Sequence, residues 1–440
     1  MEFLTESQLE SKWGELLDES SVGEIGSSYK RRVTAVLLEN TERALNEQRV
    51  ALNETVPSSS TANVSNYDPI LIGLIRRTMP KLIAFDLVGV QPMTMPTGLV
   101  FAIRSRYTSN TGTEALFNEA DATTSAGGAH PGTGNIGTSP VDTTAGLSPW
   151  SASPTFNVPA GVATSAGEDF GGSTTLNQMT FTIEKQTVTA QERGLAAGYT
   201  VEMAQDLKAV HGLDAETELS NLLSNEIIAE MNRQMVRTLY TVAVTGCQTG
   251  TTTAGTFDLD VDANGRWSVE RFKGLLFQIE KEANRVAQTT RRGRANFILC
   301  SADVASALAM AGVLDIGGLG GKPSMEVDDA GNTFVGVLNG RYKVYIDPYM
   351  SNGDTNQFFM VGYKGASAFD SGVFWCPYVP LTMYKAINPQ TFQPSIAYKT
   401  RYGVAGNPLN GANAASPATA FGLGAQSNQF YRLSRVLSLA

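Results

Sequence analysis

Apolar residues recur at helical spacing twice near the start of the chain: Leu9, Trp13, Leu16 and Leu17, then Val33, Val36 and Leu37 with Ala44 and Leu45 beyond. Steps of three and four put such side chains on one helix face, so two amphipathic helices outside the main core are expected, separated by the break from Ser20 to Ser28. From Val56 to Asn66 the chain turns to Pro, Ser, Thr and Asn, a linker composition. Pro69 to Met79 predicts a short helix. Leu99 to Tyr107 alternates apolar residues with Arg104 and Arg106, the period of a strand, and Gln178 to Thr189 predicts a second strand with Phe181 and Ile183 on one face. Between these strands Phe117, Ile136, Leu147, Trp150, Phe156 and Phe170 are thinly spread, which predicts a long extension projecting from the body.

After the break at His211-Gly212-Leu213 the helical period returns and persists. Asp214 is a suitable N-cap, Glu216 and Glu218 sit at the positive end of the helix dipole, and Leu219, Leu222, Leu223, Ile227, Met231, Met235 and Leu239 form one stripe. About 30 residues at 1.5 Å each predict a rod of roughly 45 Å, the length of a spine across a flat molecule. Ser268 is expected to cap a further helix with Val269, Phe272, Leu275, Leu276, Ile279, Ala283 and Val286 inside. A buried strand over Asn296–Cys300, a short apolar helix from Asp303, and strands over Phe334–Leu338, Arg341–Ile346 and Gln357–Tyr363 follow, with Asn339-Gly340 making a tight hairpin. No repeat period appears.

Composition narrows the function. The chain has 440 residues, of which 17% are charged, with a net charge of -9, and no apolar run approaches a membrane span. A dedicated nucleic-acid binder shows the opposite balance. Residues 1–54 hold eleven acids against six bases, so this segment carries -5 of the total. Between Arg106 and Lys185 there is no Lys or Arg at all. Glu2, Glu6 and Glu10 stand where a secretory signal needs positive charge. Three cysteines, Cys247, Cys300 and Cys376, suit neither a disulfide framework nor a zinc spacing, and two histidines leave little room for acid–base or metal chemistry.

Individual motifs fail on context. Gly132-Thr133-Gly134-Asn135-Ile136-Gly137 matches GxGxxG, but His130-Pro131 and Ser139-Pro140 flank it in place of a strand and a helix. Gly317–Lys322 approaches a phosphate loop, with Ile316 at the first glycine and Pro323 at the magnesium-binding hydroxyl. Asp260-Val261-Asp262-Ala263-Asn264-Gly265 is half a calcium loop whose twelfth position holds Arg271, so an Asx-rich turn leading into the next helix is the simpler reading. His211 is expected to bond locally, and Asp328-Asp329 to be a surface turn. No catalytic residue, metal site or cofactor is expected. The pattern Leu52-Asn53-Glu54 lies where the acidic segment meets the polar linker, which is where exposed backbone favours processing.

Longer strings carry a resemblance. Arg76-Arg77-Thr78-Met79-Pro80-Lys81-Leu82-Ile83-Ala84-Phe85-Asp86, then Gly89-Val90-Gln91-Pro92-Met93 and Pro96-Thr97-Gly98, closely resemble the major capsid proteins of T-even-type tailed phages. So do Ala204-Gln205-Asp206-Leu207-Lys208-Ala209-Val210-His211-Gly212, Leu275 to Ala283, Val361-Gly362-Tyr363-Lys364-Gly365 and Lys399-Thr400-Arg401-Tyr402-Gly403, all in order. The resemblance implies an α+β chain of the Hong Kong 97-type capsid fold. It implies a propeptide at 1–54, an N-terminal arm and the start of the peripheral domain at 55–98, an extended loop with a Gly/Ser/Thr-rich insertion at 99–190, and the spine helix within 191–249. An axial domain at 250–375 and a return to the peripheral domain at 376–440 complete it. Residues 108–178 depart from the longer insertion of the T-even protein, so contacts of that insertion are not carried over.

The same resemblance implies hexameric capsomers packed into an icosahedral or prolate head shell around double-stranded DNA, with no sequence-specific binding. Expected partners are neighbouring capsomers, a vertex protein, scaffold and maturation protease, portal and decoration proteins. Assembly in the host bacterial cytoplasm and residence in the virion follow. Cleavage after Glu54, with Leu52 and Thr55 flanking, leaves a chain starting at Thr55. The related pentameric vertex protein is the alternative within this class. A surface-binding module displaying its Ser/Thr/Gly stretch is the alternative outside it, weakened by the helical segment at the start.

Overall fold

A computed structural model of the chain describes residues 6–17, 25, 27–52, 79–112, 114–116, 163–172, 177–263, 265, 267–312, 314–315, 334–349, 357–388, 390, 392–409 and 423–439. In chain order the elements are α1 (Glu6–Leu17), α2 (Ser28–Leu52), α3 (Ala84–Leu87), β1 (Gly89–Val90), β2 (Thr97–Tyr107), β3 (Glu114–Ala115), α4 (Thr164–Gly167), β4 (Met179–Thr189), β5 (Gln191–Gly198), α5 (Val201–His211) and α6 (Ala215–Val242). They continue with β6 (Ala243–Thr245), β7 (Thr256–Asp258), α7 (Ser268–Thr290), β8 (Phe297–Cys300), α8 (Ala302–Met310), β9 (Leu314–Asp315), β10 (Phe334–Leu338), β11 (Tyr342–Ile346), β12 (Gln357–Gly362), β13 (Val373–Ile387), β14 (Pro394–Gly406) and β15 (Asn428–Leu437). Helices and sheets are mixed in the α+β manner. The described residues fall into two compact units, one drawn from 1–100, 187–412 and 418–440, the other from 101–186.

The first unit holds two sheets. One runs β1-β13-β14-β5; the other has eight strands ordered β6-β15-β12-β8-β11-β10-β9, with β7 also on β15. The larger sheet is covered on both faces, which is why its strands read as continuous apolar runs. Along β8, Phe297 and Leu299 enter a core shared with α6, while Ile298 and Cys300 enter a core shared with α7 and α8. On β12, Met360 joins the first core and Phe359 and Val361 the second. The hairpin between β10 and β11 turns at Asn339 and Gly340, both at positive φ (52° and 65°), the backbone that a two-residue primed turn requires.

Helix α6 begins after Asp214, as its acids predict, although the Asp214 carboxylate accepts from the Thr217 hydroxyl at 2.9 Å and caps no backbone N–H. Two rows are buried, Leu223, Ile227, Met231, Met235 and Leu239 beside Ser224, Ile228, Asn232 and Val236. Leu222 is exposed, a correction to the expected stripe: it lies about 100° round the helix from Leu223 and misses both rows. Asn232 is tolerated inside because its Oδ1 accepts from Ile83 N at 3.1 Å.

Helix α7 starts one residue earlier than expected. Trp267 is the N-cap and Ser268 the first helical residue, so Ser268 does not cap it. Val269 is exposed, while Phe272, Leu275, Ile279, Ala283 and Val286 are buried.

Two buried charge networks tie helices to the larger sheet. Asp347, just after β11, accepts from Arg233 Nη1 at 2.6 and 2.8 Å, from the Tyr240 hydroxyl at 2.7 Å and from Tyr349 N at 3.0 Å. Burial first, then the Asp347 charge, raises the Tyr240 pKa. On α7, Glu282 takes Arg432 Nε at 2.6 Å, Cys247 N at 3.0 Å and Gln278 Nε2 at 3.1 Å.

Candidate assembly site

The second unit contains a sheet ordered β3-β2-β4, and its sidedness reverses the usual one. Alternation puts Phe101 and Ile103 on the same face of β2, and Met179, Phe181 and Ile183 on one face of β4, as the sequence predicts. Those faces point outward, with exposures of 61, 69, 55, 65 and 61% respectively. Arg104, Arg106 and Glu184 point the other way, while Lys185 follows Ile183 on the outward face. The Arg104 side chain is 3% exposed and pairs with Glu114 at 3.3 Å and Glu184 at 3.1 Å. Arg106 reaches Glu184 at 3.2 Å, Thr182 Oγ1 at 3.1 Å and Gly112 O at 2.9 Å. Burial outweighs both arginines at Glu114 and pushes its carboxyl above the usual range. A strand pair that hides Arg104, Arg106 and Glu184 and presents Phe101, Ile103, Phe181 and Ile183 leaves an apolar surface of the kind that marks a protein contact.

The first unit contains the second feature, the seating of the N-terminal helices. Leu9, Trp13 and Leu17 of α1 and Val33, Leu37 and Leu38 of α2 are buried in the same core as Met79, Leu82, Phe85, Val90 and Trp375. The expectation that these helices lie outside the main core is therefore corrected. The run Val33 to Leu38 has no charged residue and buries Val33, Thr34, Ala35, Leu37 and Leu38, more than one face. Fully burying each large side chain contributes about 1.5–3 kcal/mol, so the attachment is substantial.

Polar groups aim the docking. The Tyr29 ring meets Phe85 edge-on at 6.0 Å, and its hydroxyl accepts from Val90 N at 2.9 Å and donates to Val90 O. Burial pushes that hydroxyl up to about 12. Lys30 Nζ bonds Pro80 O at 3.0 Å, and Asn40 Nδ2 bonds Met93 O and Tyr378 O at 2.8 Å each. Lys364, with its ammonium 5.9 Å from the Tyr29 ring centre, is pushed down to about 8 by burial.

Of the predicted processing residues, Leu52 is the last residue of α2, whereas Glu54 and Thr55 lie outside the described residues. So do the motifs at 132–137 and 317–322, Asp328-Asp329, and all but the end of the helix expected over Pro69–Met79, where Met79 opens a 3-10 turn.

The half calcium loop is satisfied by protein donors. Asp262 accepts from Thr252 N and Oγ1 at 2.8 Å each and from Asp258 N at 3.0 Å, and Arg271 pairs with Asp260. Those amide donors hold the Asp262 carboxyl below its usual range against burial, which acts to raise it and is the largest single influence. Among the described residues no cluster of three His, Cys, Asp or Glu is disposed to hold a metal. Cys247, Cys300 and Cys376 are free and buried, and burial pushes the latter two thiols up to about 12, so they stay protonated and unreactive. His211 ends α5 before Gly212 at φ 67°.

The outward apolar face of β2 and β4 is a feature of a chain made to contact other chains, a structural subunit. Residues 64–436 match the family model of the major capsid protein Gp23, and the chain belongs to that family of phage capsid proteins. It is 37% identical to the major capsid protein of Vibrio phage KVP40 over 95% of this chain and 96% of that one. It is 39% identical to that of Serratia phage KSP90 over 92 and 91%. Likeness to the capsid vertex protein of Enterobacteria phage T4 is partial, 28% over 52 and 53%. Among solved structures the capsid of Myoviridae phage XM1 covers 81% of this chain and 92% of its own at 8% identity, with a TM-score of 0.39. No helix among the described residues is long and apolar enough to cross a membrane.

Proposed function

We propose that the chain is the principal shell subunit of a phage head, forming hexamers that pack with neighbouring capsomers, in the Hong Kong 97-type arrangement, around double-stranded DNA. The observation that carries this reading is the inverted hairpin. A chain that buries Arg104, turns Arg106 inward beside it and exposes Phe101, Ile103, Phe181 and Ile183 leaves unsatisfied apolar surface unless another chain covers it. Residues 99–190 then serve as the extended loop, α6 within 191–249 as the spine helix, 250–375 as the axial domain, and 55–98 with 376–440 as arm and peripheral domain. A vertex protein, scaffold, portal and decoration proteins complete the head, which assembles in the bacterial cytoplasm.

Residues 1–54 are proposed to be a propeptide, cut by a maturation protease after Glu54 with Leu52 and Thr55 flanking the bond. Its loss takes the net charge from -9 to -4, since the segment carries -5, and so weakens repulsion between copies. The expected N-terminus of the chain in purified mature particles is Thr55, read by Edman degradation or mass spectrometry. A chain that still begins at Met1, or at another residue, overturns the assigned bond.

A further inference from the structure

Strand β13 is irregular where it passes the N-terminal segment. Pro377 faces Tyr402 and Val379 faces Arg401, so Tyr378 has no residue opposite it on β14 and is the extra residue of a β-bulge. The carbonyl of such a residue leaves the ladder and must find another donor. Here the donor is Asn40 Nδ2 at 2.8 Å, from a helix 338 positions earlier in sequence. The same amide nitrogen donates to Met93 O at 2.8 Å, and Met93 N in turn bonds Pro377 O at 2.8 Å, so Asn40 closes across both chain segments at the bulge. Asn40 itself is buried, 5% exposed.

A second irregularity follows between Val379 and Thr382, and it is held differently. Thr400 Oγ1 donates to Val379 O and Thr382 Oγ1 to Lys399 O, each at 3.1 Å. Those donors belong to the sheet and stay with it whatever happens to residues 1–54. The Asn40 donor does not.

We infer that Asn40 is the latch of a conformational device: docked, α2 fixes the bulge at Tyr378, and release of the N-terminal segment frees it. A bulge bends its strand and raises the local twist, so a bulge that loses its buried donor lets β13 and β14 twist anew against each other. The inference rests on the proposed removal of residues 1–54 and adds what that removal does to the fold. Asn40 is a positioning residue in this account, acting on the sheet through one side-chain amide.

Hydrogen exchange on the full chain tests it, with Asn40→Ala set against Thr41→Ala. Thr41 is equally buried in the same helix, but among the described residues its hydroxyl bonds Leu37 O and Leu38 O of its own turn. Asn40→Ala is expected to speed exchange over 376–382 and 399–402 about tenfold, with α6 unchanged, while Thr41→Ala leaves those strands as in the wild type. Equal behaviour of the two variants overturns the latch, as does unchanged exchange in Asn40→Ala. If Asn40→Ala does not fold, Asn40→Ser gives up the bridge between the two carbonyls with a smaller change, and wild-type exchange in that variant overturns the latch equally. Particles that retain residues 1–54 defeat the removal proposal alone; particles that lose them, with the two variants exchanging alike, defeat the latch alone.

Discussion

Replacing Phe101 and Phe181 with aspartate is expected to leave a chain that folds normally and does not assemble. Both rings are more than half exposed, so neither substitution removes core packing, and a surface change of this kind moves stability by only about 0.5 kcal/mol. In a contact between copies the same rings are buried aromatic anchors, each worth roughly 2 kcal/mol or more when lost. Two such losses at every contact weaken association by about a thousandfold, and the introduced carboxylates would enter that contact unpaired. Thermal melting of the unassembled chain and sedimentation of the assembly reaction separate the two effects. Normal shells from the double variant contradict the assembly role of the hairpin. A large fall in melting temperature shows instead that this face is packed within the subunit.

The largest effect on stability is expected from Glu282→Ala. The Glu282 side chain is 3% exposed and that of Arg432 9%, with Nε and Oε2 at 2.6 Å. The other carboxylate oxygen holds Cys247 N and Gln278 Nε2. Cys247 sits at φ 49°, an uncommon conformation for a residue with a side chain, and its N–H has Glu282 as acceptor. Removing the carboxylate strands a buried guanidinium and two donors at once, which destabilises by about 3–5 kcal/mol. Replacing both charges, as in Glu282→Leu with Arg432→Met, is expected to recover most of that loss, because the penalty lies in the unpaired ion rather than in the missing attraction. Urea midpoints of the wild type, the single variant and the double variant give the answer. A single variant within 1 kcal/mol of wild type would contradict the burial of this pair.

Local patterns were legible where one element decides them alone. The acids after Asp214 and the spacing from Leu223 to Leu239 locate α6, and Asn339-Gly340 locates the hairpin through the positive φ that both residues adopt. The alternation along β2 and β4 was equally plain, but alternation gives a period and not a sign. Which face is inside depended on Glu184, which meets Arg106 from 78 positions away. Docking of α2 was hidden for the same reason, since the partners of Asn40 are Met93 and Tyr378. A signal was present nonetheless: the uncharged run Val33 to Leu38 is too apolar all round for a helix lying on the surface. The half calcium loop shows the converse, where a familiar spacing at Asp260 and Asp262 serves a turn because Thr252 and Arg271 occupy the carboxylates.

The abundance of this chain in purified, fast-sedimenting particles from infected cells decides whether it builds the shell. Quantitative mass spectrometry of such particles is expected to find it as the dominant protein. Presence in trace amounts would instead fit a vertex subunit, and absence from the particles would contradict a role in the shell.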